Sequence, residues 1–247
     1  MSDTVKQGTS FKRKSGSEGR ERYLDMVQKE RALLLRQGIN RSTEQLLDAA
    51  GASSSFETVD KTLNFSLSKI ILNGPELELK LTQNTQPAIM VIGVSIFEVL
   101  KNNFNFNLNS ARFFAGHSLG EYTALVCAGS LSLERAAYLL HQRGKSMQEA
   151  VPPGQGSMMA VLGMRIDEVE KEINLLPKEE ICEIANDNSN AQVVVSGKKI
   201  VIEILNENLK KKKKKGILLP VSAPFHCSLM KKAAENMKDK IENTNFL

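Results

Sequence analysis

Over residues 56–72 the apolar side chains Phe56, Val59, Leu63, Leu67, Ile70 and Ile71 recur every three or four positions, the spacing of a helix with one buried face. Gly74-Pro75 closes that pattern. Gln86-Pro87 marks a new start, because proline holds the residue before it in an extended conformation, and an apolar helix is predicted from there to residue 100. Its centre, Ala88-Ile89-Met90-Val91-Ile92-Gly93-Val94, reads as buried. Residues 111–115 read as a short strand, and 121–128 as a helix running to Gly129, a C-cap residue. A further helix is predicted over 131–149, with Ser132 as N-cap three positions before Arg135.

Past Pro152 the rhythm changes. Strands are predicted over 157–163, 181–185, 192–196 and 216–220, with helices over 167–175 and 199–213, and residues 229–243 return to helix. The order β-α-β-β-α-β is that of a ferredoxin-like unit. At the other end, residues 1–20 are polar with almost nothing to bury, which predicts disorder. Residues 19–50 carry a loose helical pattern broken at Gly38, with no chemistry. Three parts follow: an N-terminal segment over 1–52, a larger α/β subdomain over 53–152 and 221–247, and a smaller one over 153–220 inserted into it.

Composition narrows the class. Of 247 residues, 41% are hydrophobic and 25% charged, the balance of a soluble globular chain with an ample core. Cys127, Cys182 and Cys227 are odd in number and lack metal-ligand spacing, so reduced thiols in a cytoplasmic protein are expected, with no zinc site. No apolar run approaches the ~20 residues that span a bilayer. The net charge of +5 is concentrated in the run Lys210 to Lys215. A single basic run without aromatic platforms argues against nucleic acid, and cations suit a helix end capped by Gly216.

The chemistry centres on Gly116-His117-Ser118-Leu119-Gly120. This Gly-x-Ser-x-Gly spacing sets a serine on a strained turn between a strand and a helix, exposing its hydroxyl, and is expected to need glycine on both sides because the backbone is crowded there. A serine hydroxyl needs a base, and the three histidines are His117, His141 and His226. His141 reads as a surface residue and His117 as a packing or pocket-shaping one. His226 follows Pro224-Phe225 in a loop that proline stiffens.

The words Gly-His-Ser-Leu-Gly-Glu-Tyr at 116–122 resemble the malonyl-CoA:acyl-carrier-protein transacylases of fatty acid synthesis. So do Gly74-Pro75-Glu76, Thr85-Gln86-Pro87-Ala88, Gln142-Arg143-Gly144 with Met147-Gln148, residues 186–192, and Val221-Ser222-Ala223-Pro224-Phe225-His226, in that order from about residue 53. The resemblance implies a hydrolase-like parallel sheet with helices beside the ferredoxin-like subdomain. It implies an acyltransferase that moves a malonyl group from malonyl-CoA to the phosphopantetheine thiol of acyl carrier protein, with no metal or redox cofactor, acting as a monomer.

It also implies roles. Ser118 is the nucleophile and His226 its base, with the imidazole held by a main-chain carbonyl further along the chain rather than by an Asp. Arg143 clamps the malonyl carboxylate, Leu119 supplies an oxyanion N–H and, with Phe225, suits a malonyl group. His117, Met147 and Asn186, with Asn188, flank the acyl pocket. The family's first strand with its Gln-bearing loop and its C-terminal segment find no match here; Pro153-Gly154-Gln155-Gly156-Ser157 reads as a linker. The rivals are a family member that only binds CoA or carrier protein, and a serine esterase. The lysine run would draw an acidic carrier protein or CoA phosphates.

Overall fold

The computed structural model describes residues 52–103, 111–152, 154–221 and 223–247, all within the compact unit Glu44–Leu247. The expectations for residues 1–50 lie outside the described residues. The first half is helical: α1 (Ala52–Leu63), α2 (Leu67–Asn73), α3 (Glu76–Lys80), α4 (Thr82–Asn103), α5 (Gly120–Cys127) and α6 (Leu133–Ala150). The helix expected over 56–72 is two helices. The break falls at Asn64, whose φ of 60° ends α1, and Asp60 accepts from the Ser68 N–H and from the Ser66 and Ser68 hydroxyls to fix the start of α2.

Pro87 lies inside α4 rather than ahead of it. A proline there cannot donate to the carbonyl four residues back, which leaves the Gln83 oxygen free. His141 takes it up, donating from Nδ1 at 3.0 Å while its ring packs on Phe65. His141 is thus a half-buried structural residue, not a surface one. Three positions on, Gly144 is buried against the same turn: an added Cβ would run into Gln83 Cα and the Thr82 carbonyl oxygen. This close approach joins α4 to α6 over a core of Met90, Val91, Leu139 and Leu140. Ser132 caps α6 as expected, accepting from the Arg135 N–H at 3.2 Å, and Gly129 (φ 76°) turns the chain out of α5.

The second half carries β1 (Gly156–Leu162), α7 (Ile166–Ile173), β2 (Cys182–Ser189), β3 (Gln192–Lys198), α8 (Lys199–Lys211) and β4 (Lys215–Leu218), then a 3-10 turn (Ser228–Met230) and α9 (Lys231–Glu242). The four strands form one antiparallel sheet in the order β2-β3-β1-β4. Alternation sorts its faces. Met159, Val161, Val193 and Val195 pack under α8 with Val201, Ile202, Leu205 and Leu209, while Met158, Ala160 and Val194 face the other way and meet Phe225.

These four are the strands found among the described residues, so the chain is α/β with helices and a small antiparallel sheet. Residues 111–115, expected as a strand of a parallel sheet, form none: no described strand pairs with them, and Phe113 stands 87% exposed. Gly216 is not the cap of α8 either. Pairing with Val161 draws it into β4, and Lys213 (φ 57°) makes the left-handed turn instead.

The α4–α6 contact yields a prediction. Gly144→Ala forces backbone apart at a buried crossing, and urea unfolding is expected to show a loss of roughly 1–3 kcal/mol.

Candidate active site

Ser118 stands on the turn that enters α5, with a φ of 53°. That left-handed conformation is rare for a residue with a Cβ, and it throws the hydroxyl outward. The turn closes through Gly120 N–H to His117 O at 2.9 Å and Glu121 N–H to Ser118 O at 3.2 Å. Its two glycines differ. A Cβ on Gly116 would overlap the Gly120 carbonyl, whereas one on Gly120 would meet nothing within 4 Å. Crowding therefore demands glycine before the serine and not after it, which corrects the symmetric expectation.

His226 comes from the loop between β4 and α9, 108 residues away, and its Nε2 lies 2.9 Å from Ser118 Oγ. Its own φ is 58°. The loop is seated on the sheet, since Pro224 fills the space where a Cβ on Gly156 would stand. Burial first, then Arg143 and His117, hold the His226 pKa below its ordinary 6.5. The imidazole is neutral at pH 7 and can accept the serine proton.

Arg143 projects from α6 and donates from Nη2 to Ser118 Oγ at 3.2 Å. Its Nη1 donates to Gln86 Oε1. Gln86, only 3% exposed, is locked in turn: its Nε2 donates to Thr82 Oγ1 at 3.0 Å and contacts Met147 Sδ at 3.5 Å. Burial pushes the Arg143 pKa down, while Tyr122 and Glu121 act in the opposite sense. An arginine nonetheless stays charged, so a largely desolvated cation sits beside the Ser118 hydroxyl with a neutral amide as its fixed partner.

The remaining expected residues are brought near in different ways. Asn186 Nδ2 donates to His117 Nε2 at 3.2 Å, tying β2 to the serine turn. Asn188 donates to Gln192 Oε1 across the β2–β3 hairpin and reads as a turn former. Leu119 is the N-cap residue of α5 and packs against the helical core. Met147 is buried with Val151 and Met230, beneath Phe225 and Leu229, and supports Gln86 from below. Gln86 itself was not singled out as a site residue by sequence reasoning. Its signal is a polar side chain immediately before a proline at the head of an apolar helix.

The described cysteines are free, and burial raises the thiols of Cys127 to about 11 and Cys182 to about 12, far from nucleophilic at neutral pH. No described helix is long and apolar enough to cross a membrane.

A malonyl CoA-acyl carrier protein transacylase of Bacillus subtilis is 38% identical to the chain over 208 residues, covering 83% of this chain and 64% of the relative. Among solved structures, an acyl-carrier-protein-S-malonyltransferase from Bartonella henselae superposes with a TM-score of 0.77 at 41% identity, covering 85% of this chain and 66% of that one. A malonyl-transacylase in complex with a type II PKS acyl-carrier protein gives a TM-score of 0.75 at 36% identity, covering 79% and 63%. The chain therefore spans just under two thirds of the length of these relatives. The acyl transferase domain model matches residues 43–245, and the chain belongs to that family.

Proposed function

We propose that the chain transfers a malonyl group from malonyl-CoA to the phosphopantetheine thiol of an acyl carrier protein, through a malonyl ester of Ser118. One observation carries the reading: a single serine hydroxyl lies 2.9 Å from a neutral imidazole and 3.2 Å from a buried guanidinium. The first contact makes a nucleophile, and the second selects an acyl group that ends in a carboxylate. The names of the relatives, which join malonyl-CoA to acyl carrier protein, support the same donor and acceptor.

In the first half-reaction His226 Nε2 takes the Ser118 proton as Oγ attacks the thioester carbonyl. The Leu119 N–H, at the head of α5, meets the developing oxyanion. Collapse breaks the C–S bond, and the imidazolium returns its proton to the departing CoA sulfur. The second half-reaction reverses the order, with the carrier thiol giving its proton to His226 and attacking the ester. Throughout, Arg143 holds the distal carboxylate by two parallel hydrogen bonds, with Gln86 fixing the plane of the guanidinium. His117, Asn186 and Met147 shape the wall around the acyl group, and no step calls for a cofactor.

In this reading the sheet and its helices form a ferredoxin-like subdomain over 153–220, inserted into a larger hydrolase-like one over 53–152 and 221–247, in a monomeric cytoplasmic enzyme. The antiparallel order β2-β3-β1-β4 supports the first of these. Lys210 and Lys212 are engaged by Glu207 and Glu172, so any attraction of an acidic carrier protein falls to the other lysines of the run.

Three measurements test the proposal. Brief incubation with malonyl-CoA should add one malonyl mass to the intact chain and none to Ser118→Ala; a folded wild-type chain without an adduct overturns the reading. Arg143→Lys, which loses the paired hydrogen bonds, should lower kcat/KM for malonyl-CoA by roughly 10- to 100-fold while changing reaction with a neutral acyl-CoA little. The pH profile follows from His226. Only its neutral form is a base, and its pKa lies below 6.5, so kcat/KM should fall on acidification with its half-point below pH 6.5.

A further inference from the structure

Two residues past His226 the chain is gripped by a carboxylate from the sheet. Glu183 Oε2 accepts the Ser228 backbone N–H at 2.8 Å, and Oε1 accepts the Ser228 hydroxyl at 2.5 Å. Glu183 lies on β2 opposite Ser196 of β3, on the strand that also carries Asn186. Ser228 begins the 3-10 turn that leads into α9, so both prongs of the carboxylate close on the first residue after the loop.

The loop needs such a grip. A non-glycine residue in the left-handed region costs on the order of 1–3 kcal/mol and persists only when its surroundings impose it. At the loop's start Pro224 is seated on Gly156, and Phe225 packs between Met158 of the sheet and Met147 of α6. Those contacts fix the approach to His226. On its far side Cys227 Sγ donates to Pro224 O at 3.2 Å and Met230 packs with Met147 and Val151, and Glu183 adds the hold on Ser228 that ties this segment to the sheet. With both ends held, the backbone at His226 is confined to φ 58°, and Nε2 is carried to Ser118.

We propose that Glu183 is a positioning residue: its two-pronged hold on Ser228 keeps His226 in the left-handed conformation that aims Nε2 at Ser118. The proposal rests on the reading of His226 as the base of Ser118. It gives Glu183 no contact with substrate.

A readout independent of activity separates this role from direct electrostatics. Besides burial, the groups acting on His226 are Arg143 and His117, both of which favour its neutral form. Removing a nearby negative charge would only lower the His226 pKa further. Releasing the loop would hydrate the ring and move it away from Arg143, which raises the pKa. The two effects have opposite signs.

The experiment is an NMR titration of the three imidazoles in the full chain, with His226 assigned from a His226→Asn variant. In Glu183→Ala the His226 titration should move up toward 6.5, and the rate of Ser118 malonylation should fall by roughly 100-fold. Glu183→Gln, which keeps one acceptor oxygen, should show a smaller upward movement. A folded Glu183→Ala chain whose His226 titrates where the wild type does, or lower, overturns the proposal. Should Glu183→Ala not fold, Ser228→Ala removes the hydroxyl prong alone: a smaller upward movement is expected, and an unmoved titration again overturns it. If wild-type protein takes no malonyl group, the transferase reading fails, but the titration still decides the role of Glu183.

Discussion

Ser118 and His226 meet at 2.9 Å, and both have backbones in the left-handed region that residues with side chains avoid. Neither conformation is stable by itself, so each depends on contacts from elsewhere in the chain. The serine turn is held by the close approach of Gly116 to the Gly120 carbonyl and by the first hydrogen bonds of α5. The histidine loop is held by Pro224 against β1 and by Glu183 on β2. A site assembled from two strained turns requires two rigid supports, and the helical half and the sheet supply one each.

Arg143 sets the electrostatics of the site. A buried cation is usually matched by a carboxylate, which neutralises it and leaves little attraction for an anionic ligand. Here its firm partner is the amide of Gln86, and the nearby Glu121 acts from an exposed position. The net positive charge is therefore retained beside the Ser118 hydroxyl. Burial first and then the same charge favour the neutral form of His226, so one guanidinium both touches Ser118 and acts on the imidazole that meets it. The arrangement works only because α4 and α6 approach closely at Gly144, which places the Gln86 and Arg143 side chains on facing surfaces.

The three side chains that meet at Ser118 were legible in the sequence because each lies in a short word with its own local spacing: serine between two glycines, histidine after a proline, arginine before a glycine. The β-α-β-β-α-β order was legible from periodicity alone. What escaped depends on partners distant in the chain. Pro87 looked like a helix boundary because the acceptor it frees, Gln83 O, is satisfied by His141, more than fifty residues later. Gly216 looked like a cap because its pairing with Val161 is a tertiary fact. Residues 111–115 have the composition of a strand, but a strand exists only with a hydrogen-bonded neighbour, and no described strand provides one. Glu183 carries no local signal, since a half-exposed glutamate on a strand differs from its neighbours only through what it touches.

The sheet does more than fill space behind the site. Its helix-covered face is a closed core of Met159, Val161, Val193 and Val195, which fixes the strands with respect to α8. Its other face and edges reach toward the reacting groups at three points: Gly156 beneath Pro224, Asn186 on His117, and Glu183 on Ser228. Asn186 and Glu183 lie three residues apart on β2, so one strand touches both the Ser118 turn and the His226 loop. Because β2 is hydrogen-bonded to β3 along its length, with two irregularities in register, these two contacts are not independent. A shift of β2 would move the Ser118 turn and the His226 loop together, so their separation is set by the strand's internal geometry rather than by two separate loops. A serine and a histidine referenced to one strand can keep a hydrogen-bond distance that two freely moving loops could not.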